Sequence, residues 1–356
     1  MFSRESMNTV SRLTAIRKKT KRYPSFSMSR EFSSSTEGHN LVPVAFLSPA
    51  VRLRVHSMET PPMIELCQPP DPSPRTPVLK CPPGATDCHV HVYGPVASYP
   101  VASTRAFDVP DAFPSTLAGL LDTLGVDRVV LVQPSGYGTD NQRHLDALAE
   151  VGRPARMIAS LRADVSDTEL ERLNNAGVRG IRYTIGHRGA APLEEMPEMA
   201  RRIAELGWHV QLHVMSDGGR APLVEMQNVL SSLPVHVVLD HVGSVRPSGG
   251  VNQPSFKTLL GLLETGRCWV KLSAAYRVVE APPYAEMKPF VDAMLAVNPE
   301  RLLWGSDWPH VSFKGTMPNT TDLLDQMLTW VPDESARTRI LVDNPARLYG
   351  FEETAR

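Results

Sequence analysis

In this chain of 356 residues, the groups most able to do chemistry are a set of histidines and one aspartate. His89 and His91 stand in "TDCHVH" with one residue between them. On a strand that spacing sends both rings to the same face, where they can share a metal ion, polarise a substrate carbonyl directly, or pack. His213 ends "WHVQLH", His241 lies in "LDHVG" and Asp307 in "GSDWP". Imidazoles and a carboxylate brought to one place suit a zinc-like ion, which acidifies bound water. The same groups without metal can polarise a carbonyl while the carboxylate takes a proton from water.

Residues so far apart in the chain meet only if a repeated architecture carries them to one rim. From residue 86 onward, eight short apolar runs alternate with helix-length segments. The runs are "TDCHVHV" (86–92), "DRVVLVQPS" (127–135), "RMIASLRA" (156–163), "VRGIRYTI" (178–185), "WHVQLHV" (208–214), "HVVLDHVG" (236–243), "WVKLSAA" (269–275) and "RLLWGSDWP" (301–309). Alternation of this kind marks βα units and a parallel sheet. Eight units in roughly 250 residues predict an α/β fold of the (β/α)8 TIM-barrel type, with its active site at the C-terminal ends of the strands. A dinucleotide-binding sheet loses its main support because no GxGxxG follows the first run. Read in order, the strand ends carry His89 and His91 on the first, Ser135 after the second, and Arg182 on the fourth with Arg188 just beyond. They continue with His213 on the fifth, His241 on the sixth, Arg277 after the seventh and Asp307 on the eighth. His209 is expected on the same face as His213 but lower, in a structural role, and Arg179 toward a helix. His187 and His236 read as loop or strand-edge residues, while His310, three after Asp307, sits close enough to matter.

Composition narrows the class of protein. With 42% hydrophobic and 21% charged residues and a formal charge of −1, the chain reads as an ordinary globular protein without a nucleic-acid footprint. No apolar run reaches the roughly 18–20 residues of a membrane span. The four cysteines, Cys67, Cys81, Cys88 and Cys268, form no CxxC pair, which argues for a reducing compartment and against a disulfide framework. Residues 1–57 differ: ten Lys or Arg, three Glu and eleven Ser, including "RKKTKR", give this stretch +7 and leave the remainder at −8. Two readings compete, a presequence, which would direct the protein to mitochondria, and an upstream extension of a cytoplasmic chain that starts at Met58. Either is expected to be disordered. Residues 58–85, with "PPDPSPRTP", read as a Pro-rich extended linker before a single domain over 86–351.

The quoted motifs, together with "TDCHVHVYGP", "GVRGIRYT", "LLWGSDWPH" and the closing "DNPARLYGF", resemble the amidohydrolase superfamily. Within it they look most like the branch of 2-pyrone-4,6-dicarboxylate lactonase, 4-sulfomuconolactone hydrolase and D-galactarolactone isomerase. The resemblance implies a hydrolase that opens a small carboxylated lactone. Asp307 would be the general base that later returns the proton to the leaving oxygen, and His89, His91 and His241 would polarise the carbonyl. Arg182, Arg188 and Arg277 are then substrate anchors, since guanidinium groups bind carboxylates bidentately. Ser135 matches a serine that helps hold a substrate carboxylate, with Tyr137 on the same loop; its flanks are wrong for a GxSxG nucleophile. The branch divides on metal. His213, which the metal-free pattern does not require, makes one Zn2+ held by His89, His91, His213, His241 and Asp307 possible, and Arg182, where binuclear members often carry a bridging lysine, argues against two. Lactone isomerisation or metal-dependent decarboxylation could use the same cluster, and a barrel that binds without catalysis is the remaining reading.

Overall fold

The computed structural model describes residues 64–185, 191–215 and 221–352. The basic extension 1–57, the first residues of the linker, Arg188 and His187 lie outside the described residues. Eight strands form one parallel sheet in chain order: β1 (Thr86–Val90), β2 (Arg128–Val132), β3 (Ala155–Ala159), β4 (Val178–Thr184), β5 (His209–His213), β6 (Val237–Leu239), β7 (Cys268–Leu272) and β8 (Leu302–Trp304). Helices α1 (Pro114–Leu124), α2 (Gln142–Glu150), α3 (Asp167–Ala176), α4 (Met196–Ala204), α5 (Pro222–Ser232), α6 (Pro254–Glu264), α7 (Lys288–Val297) and α8 (Thr320–Trp330) follow the strands in turn. This is the (β/α)8 barrel expected from the alternating runs. No helix among the described residues is long and apolar enough to cross a membrane.

Local signals explain where the helices start and stop. Ser166 caps α3 by accepting from the Glu169 N–H, and Asn319 caps α8 by accepting from Thr321. Gly125 and Gly177 end α1 and α3 at φ of 71° and 103°, left-handed conformations that a side chain would strain. The described part of the Pro-rich segment is tied to the barrel. Asp325 of α8 accepts from the backbone N–H groups of Val78 and Leu79 at 3.1 and 2.8 Å, and Leu79 is buried.

Side-chain alternation divides the strands between two cores. Val129, Leu131, Ile181, Val210, Leu212, Val270 and Leu272 pack outward into the layer shared with the helices. Cys88, Val130, Val132, Ile158, Val238, Trp269 and Leu303 fill the barrel interior, with Tyr349 and Phe351 in the same cluster. In β1 the alternation breaks: Cys88 belongs to the interior and Val90 to the outer layer, and the pairing with β2 shifts between Asp87 and Val90. That irregularity moves His89 and His91 to the inner side, where strict alternation from Cys88 would have turned them toward the helices.

The barrel closes where β1 meets the residues after β8. The Asp307 N–H donates to His89 O at 2.9 Å and the His91 N–H to Trp308 O at 2.8 Å. Gly305 makes this approach possible, because a Cβ there would lie 2.7 Å from His89 Cβ and 2.9 Å from its backbone N. Substituting Gly305→Ala is expected to overpack this seam, costing about 1–3 kcal/mol of stability and moving His89 from Asp307. Thermal unfolding and turnover measured on the same sample check both effects.

Candidate active site

The polar residues inside the barrel lie in two tiers. The lower one is centred on Asp240, one residue past β6 and wholly buried. Its Oδ2 accepts from Arg182 Nε at 3.2 Å and Gln211 Nε2 at 3.1 Å, with Arg182 Nη2 also at 3.1 Å. Its Oδ1 lies 3.2 Å from His89 Nδ1 and 3.4 Å from Lys271 Nζ. Lys271, also fully buried, donates to Gln211 Oε1 at 2.7 Å. Burial alone would raise the Asp240 pKa, but His89, Lys271 and Arg182 outweigh it and hold the carboxyl well below the usual range. Removing one partner from such a buried set typically costs 3–5 kcal/mol, because it strands the other charge.

The upper tier is the predicted constellation. Asp307 Oδ1 faces three imidazoles, with His89 Nε2 at 3.6 Å, His91 Nε2 at 3.7 Å and His241 Nε2 at 3.7 Å. The expected strand positions need correction: β1 stops at Val90, one residue short of His91, and β6 stops at Leu239 and β8 at Trp304, so His241 and Asp307 also lie beyond the strands. Both have left the extended conformation, at φ of 52° and 63°. Non-glycine residues rarely adopt that region, and the turn it produces is what aims the two side chains across the mouth. Burial lowers the pKa of all three histidines, that of His241 to about 4, so each ring is neutral near pH 7. Asp307 is held well below the usual range, mainly by Arg277, against the opposing effect of burial.

Tautomers decide what this tier can do. His91 Nδ1 lies 2.6 Å from the Val132 carbonyl, which only accepts, so Nδ1 carries the proton and Nε2 turns a lone pair toward Asp307 Oδ1. His241 Nδ1 is 2.9 Å from Ser273 Oγ, and His89 Nε2 has no hydrogen-bond partner among the described residues. Acceptors that converge on one point without a donor between them are suited to a cation. Bonds of about 2.0–2.2 Å in a tetrahedral site place neighbouring ligand atoms roughly 3.3–3.6 Å apart, close to the spacings seen around Asp307. Among the described residues, His89, His91 and Asp307 form one group whose ligand atoms all lie within 4.8 Å of one another, and His89, Asp240 and His241 form a second. His213 is in neither; its ring stands edge-on to His241, with centroids 4.9 Å apart.

The expected anchors are already engaged with protein carboxylates. Arg182 donates to Gln133 O at 3.2 Å besides pairing with Asp240. Arg277 sets Nε at 2.9 Å and Nη2 at 2.8 Å from Asp307 Oδ2, and its Nη1 reaches Ser312 Oγ at 3.4 Å. Ser135 stands partly exposed in a single 3-10 turn after β2. Tyr137, on the same turn, is buried against Tyr93, and its hydroxyl accepts from the Gly94 N–H at 2.9 Å, so it braces the loop that follows β1. His209 lies on the inner face below Gln211 and packs edge-on against Tyr349. Arg179 donates to Asn174 O at the end of α3.

Sequence reasoning passed over Asp240, Lys271, Gln211 and Tyr276. A parity signal was present for two of them: Gln211 lies between His209 and His213 on the inward set of β5, and Lys271 shares the inward set of β7 with Trp269. Asp87 was also missed. It accepts at one oxygen from the N–H groups of His89 and Ser306, both at 3.0 Å, and burial raises its pKa to about 6.

A closed parallel barrel with an HxH at the end of its first strand, a histidine after the sixth and an aspartate after the eighth defines a class of hydrolases. Residues 86–351 match the family described as Amidohydrolase, and the chain belongs to that family. It is 36% identical over 293 residues to a 2-pyrone-4,6-dicarboxylate hydrolase of Comamonas testosteroni, covering 79% of this chain and 95% of that one. It is 32% identical over 273 residues to a D-galactarolactone isomerase of Agrobacterium fabrum, covering 75% and 91%. Among solved structures, a probable 2-pyrone-4,6-dicarboxylic acid hydrolase of Acinetobacter baumannii with citric acid bound superposes with a TM-score of 0.65 at 28% identity, covering 75% of this chain and all of that one.

The neutral buried histidines make stability depend on pH in a stated direction. Burial lowers the pKa of His209 to about 3 and of His310 to about 4 from 6.5, so below pH 6.5 the unfolded chain binds protons that the folded one refuses. Stability is therefore complete above about pH 6.5 and falls as the pH drops toward 4 and then 3. Neither ring nitrogen of His209 has a hydrogen-bond partner among the described residues. Replacing it by Leu is expected to flatten the decline in melting temperature between pH 6.5 and 4.5. A His209→Leu curve parallel to the parent curve would count against this account.

Proposed function

We propose that this protein is a hydrolase that opens a small anionic lactone, with Asp307 Oδ1 as the proton acceptor. The observation that carries this reading is the set of three imidazole Nε2 atoms 3.6–3.7 Å from one oxygen of a buried carboxylate. Water arriving at the mouth beside Oδ1 would meet this acceptor. Its oxygen adds to the lactone carbonyl carbon as its proton passes to Asp307; the ring C–O bond then breaks and the proton goes to the departing ring oxygen. Product is a ring-opened carboxylate and a hydroxyl or enol.

The tautomer of His91 favours a site that holds one divalent ion over direct polarisation of the carbonyl, since a neutral imidazole with a lone pair at Nε2 cannot donate there. His89, His91 and His241 would hold it through Nε2, leaving Asp307 Oδ1 beside it as the proton acceptor, and a zinc-type ion there would acidify water and draw charge from the carbonyl. Arg182 and Arg277 set positive charge beside this point, and N–H groups not spent on Asp240 and Asp307 are the proposed contacts for substrate carboxylates, with Arg188 and Ser135 completing the set. The relatives support the substrate class: a dicarboxylate lactone for the hydrolase, a sugar-acid lactone for the isomerase, and a tricarboxylate seated in the solved neighbour.

The test is turnover of a panel of carboxylated lactones by purified protein. Asp307→Asn is expected to lower kcat by roughly 10²–10⁴-fold with the fold intact, and chelation to abolish an activity that Zn2+ restores. Full activity in the Asn variant would remove Asp307 from the mechanism. Full activity after exhaustive chelation would remove the ion and return the histidines to a direct role.

A further inference from the structure

Asp307 uses its two oxygens differently. Oδ1 faces the three imidazoles, whereas Oδ2 is occupied by Arg277 Nε and Nη2 and by the Tyr276 hydroxyl. Tyr276 is buried, and its hydroxyl also lies 3.2 Å from His310 Nδ1. His310, buried as well, has its Nε2 3.0 Å from Thr320 Oγ1, at the first residue of α8. The backbone N–H of His310 donates to Asp307 O at 2.8 Å, so the two residues are joined by main chain and side chain together.

Only one set of proton positions satisfies this row. A tyrosine has a single hydroxyl proton, and the ionised Asp307 can only accept, so Tyr276 donates to Oδ2. With that proton committed, a bare His310 Nδ1 3.2 Å from the tyrosine oxygen would set two lone pairs against each other, so Nδ1 carries a proton. A neutral imidazole with Nδ1–H has a bare Nε2, so Thr320 donates to it. Every donor therefore points toward Asp307, and none of these groups needs to change partner during a proton transfer at Oδ1.

We infer that Tyr276 and His310 are positioning residues that keep Asp307 Oδ2 permanently filled, so that Oδ1 alone exchanges the proton with water. The inference rests on the reading of Asp307 as proton acceptor. His310 acts only through Tyr276. Its φ of 63° is part of the device, since this turn carries the ring back beneath the Tyr276 hydroxyl, edge to face with centroids 5.3 Å apart.

Histidine-15N NMR of the full chain reads the first half directly, with the His310 signal assigned by its loss in His310→Asn. A neutral ring protonated at Nδ1 is expected; protonation at Nε2 would overturn the inference whether or not the protein hydrolyses lactones. Kinetics read the second half. Tyr276→Phe is expected to lower kcat about 10–100-fold while KM changes less than about threefold. His310→Asn, whose amide N–H can stand where Nδ1–H stood, is expected to keep most of kcat, whereas His310→Gln, with its amide at the Nε2 end, falls as far as Tyr276→Phe. Equal losses in the Asn and Gln variants, or a loss in KM alone, would reduce His310 to a packing role and overturn the inference. Absence of lactone turnover by the parent protein overturns the functional reading instead, and leaves the tautomer to decide the row of donors.

Discussion

The site depends on one seam, where the start of the barrel is hydrogen-bonded to its end. His89 and Asp307 are separated by more than two hundred residues in the chain, yet the backbone of one donates to the backbone of the other. That contact is possible because Gly305 has no Cβ and because β1 shifts register before His89. Closure thus supplies both the edge-free sheet that a barrel requires and the meeting of imidazoles with carboxylate. A fold problem and a catalytic problem have the same solution here.

Above the apolar floor of Cys88, Trp269, Leu303 and Tyr349, charge is arranged by height. Asp240 is surrounded by Arg182, Lys271, Gln211 and His89, so the negative charge nearest the core is neutralised locally and the pair of cations is not left unsatisfied. Asp307 is compensated separately by Arg277, and burial keeps the histidines neutral. The consequence is a mouth of neutral imidazoles, not of imidazolium donors, with the His91 Nε2 lone pair turned toward Asp307. We propose that this arrangement suits a divalent ion among the histidines and leaves the arginines to meet anionic substrate groups.

The barrel was legible in the sequence because its strands are buried on both sides and read as apolar runs, with Gly or Pro punctuating the helices between them. The grouping of His89, His91, His241 and Asp307 was legible because each falls at or just past the end of a strand run, on the rim a barrel brings together. What could not be read was the set of backbone departures that aims them. The bulge in β1 and the positive φ of His241, Asp307 and His310 depend on contacts between distant segments. Arg277 illustrates the limit: its type and position near the mouth were visible, but its commitment to Asp307 Oδ2 follows only from the turn after β7. Lys271 and Gln211 were hidden for a different reason, since a long polar side chain in an inward strand position looks anomalous until Asp240 is placed beside it.

The central claim is that water, activated at Asp307 Oδ1, becomes part of the product. Turnover of a carboxylated lactone in H2 18O, followed by mass spectrometry of early product, tests it most directly. The account predicts one 18O atom in the newly formed carboxylate. Product with the mass of the substrate and no label would contradict it, and would show that the same carboxylate and histidines move the lactone bond without adding water.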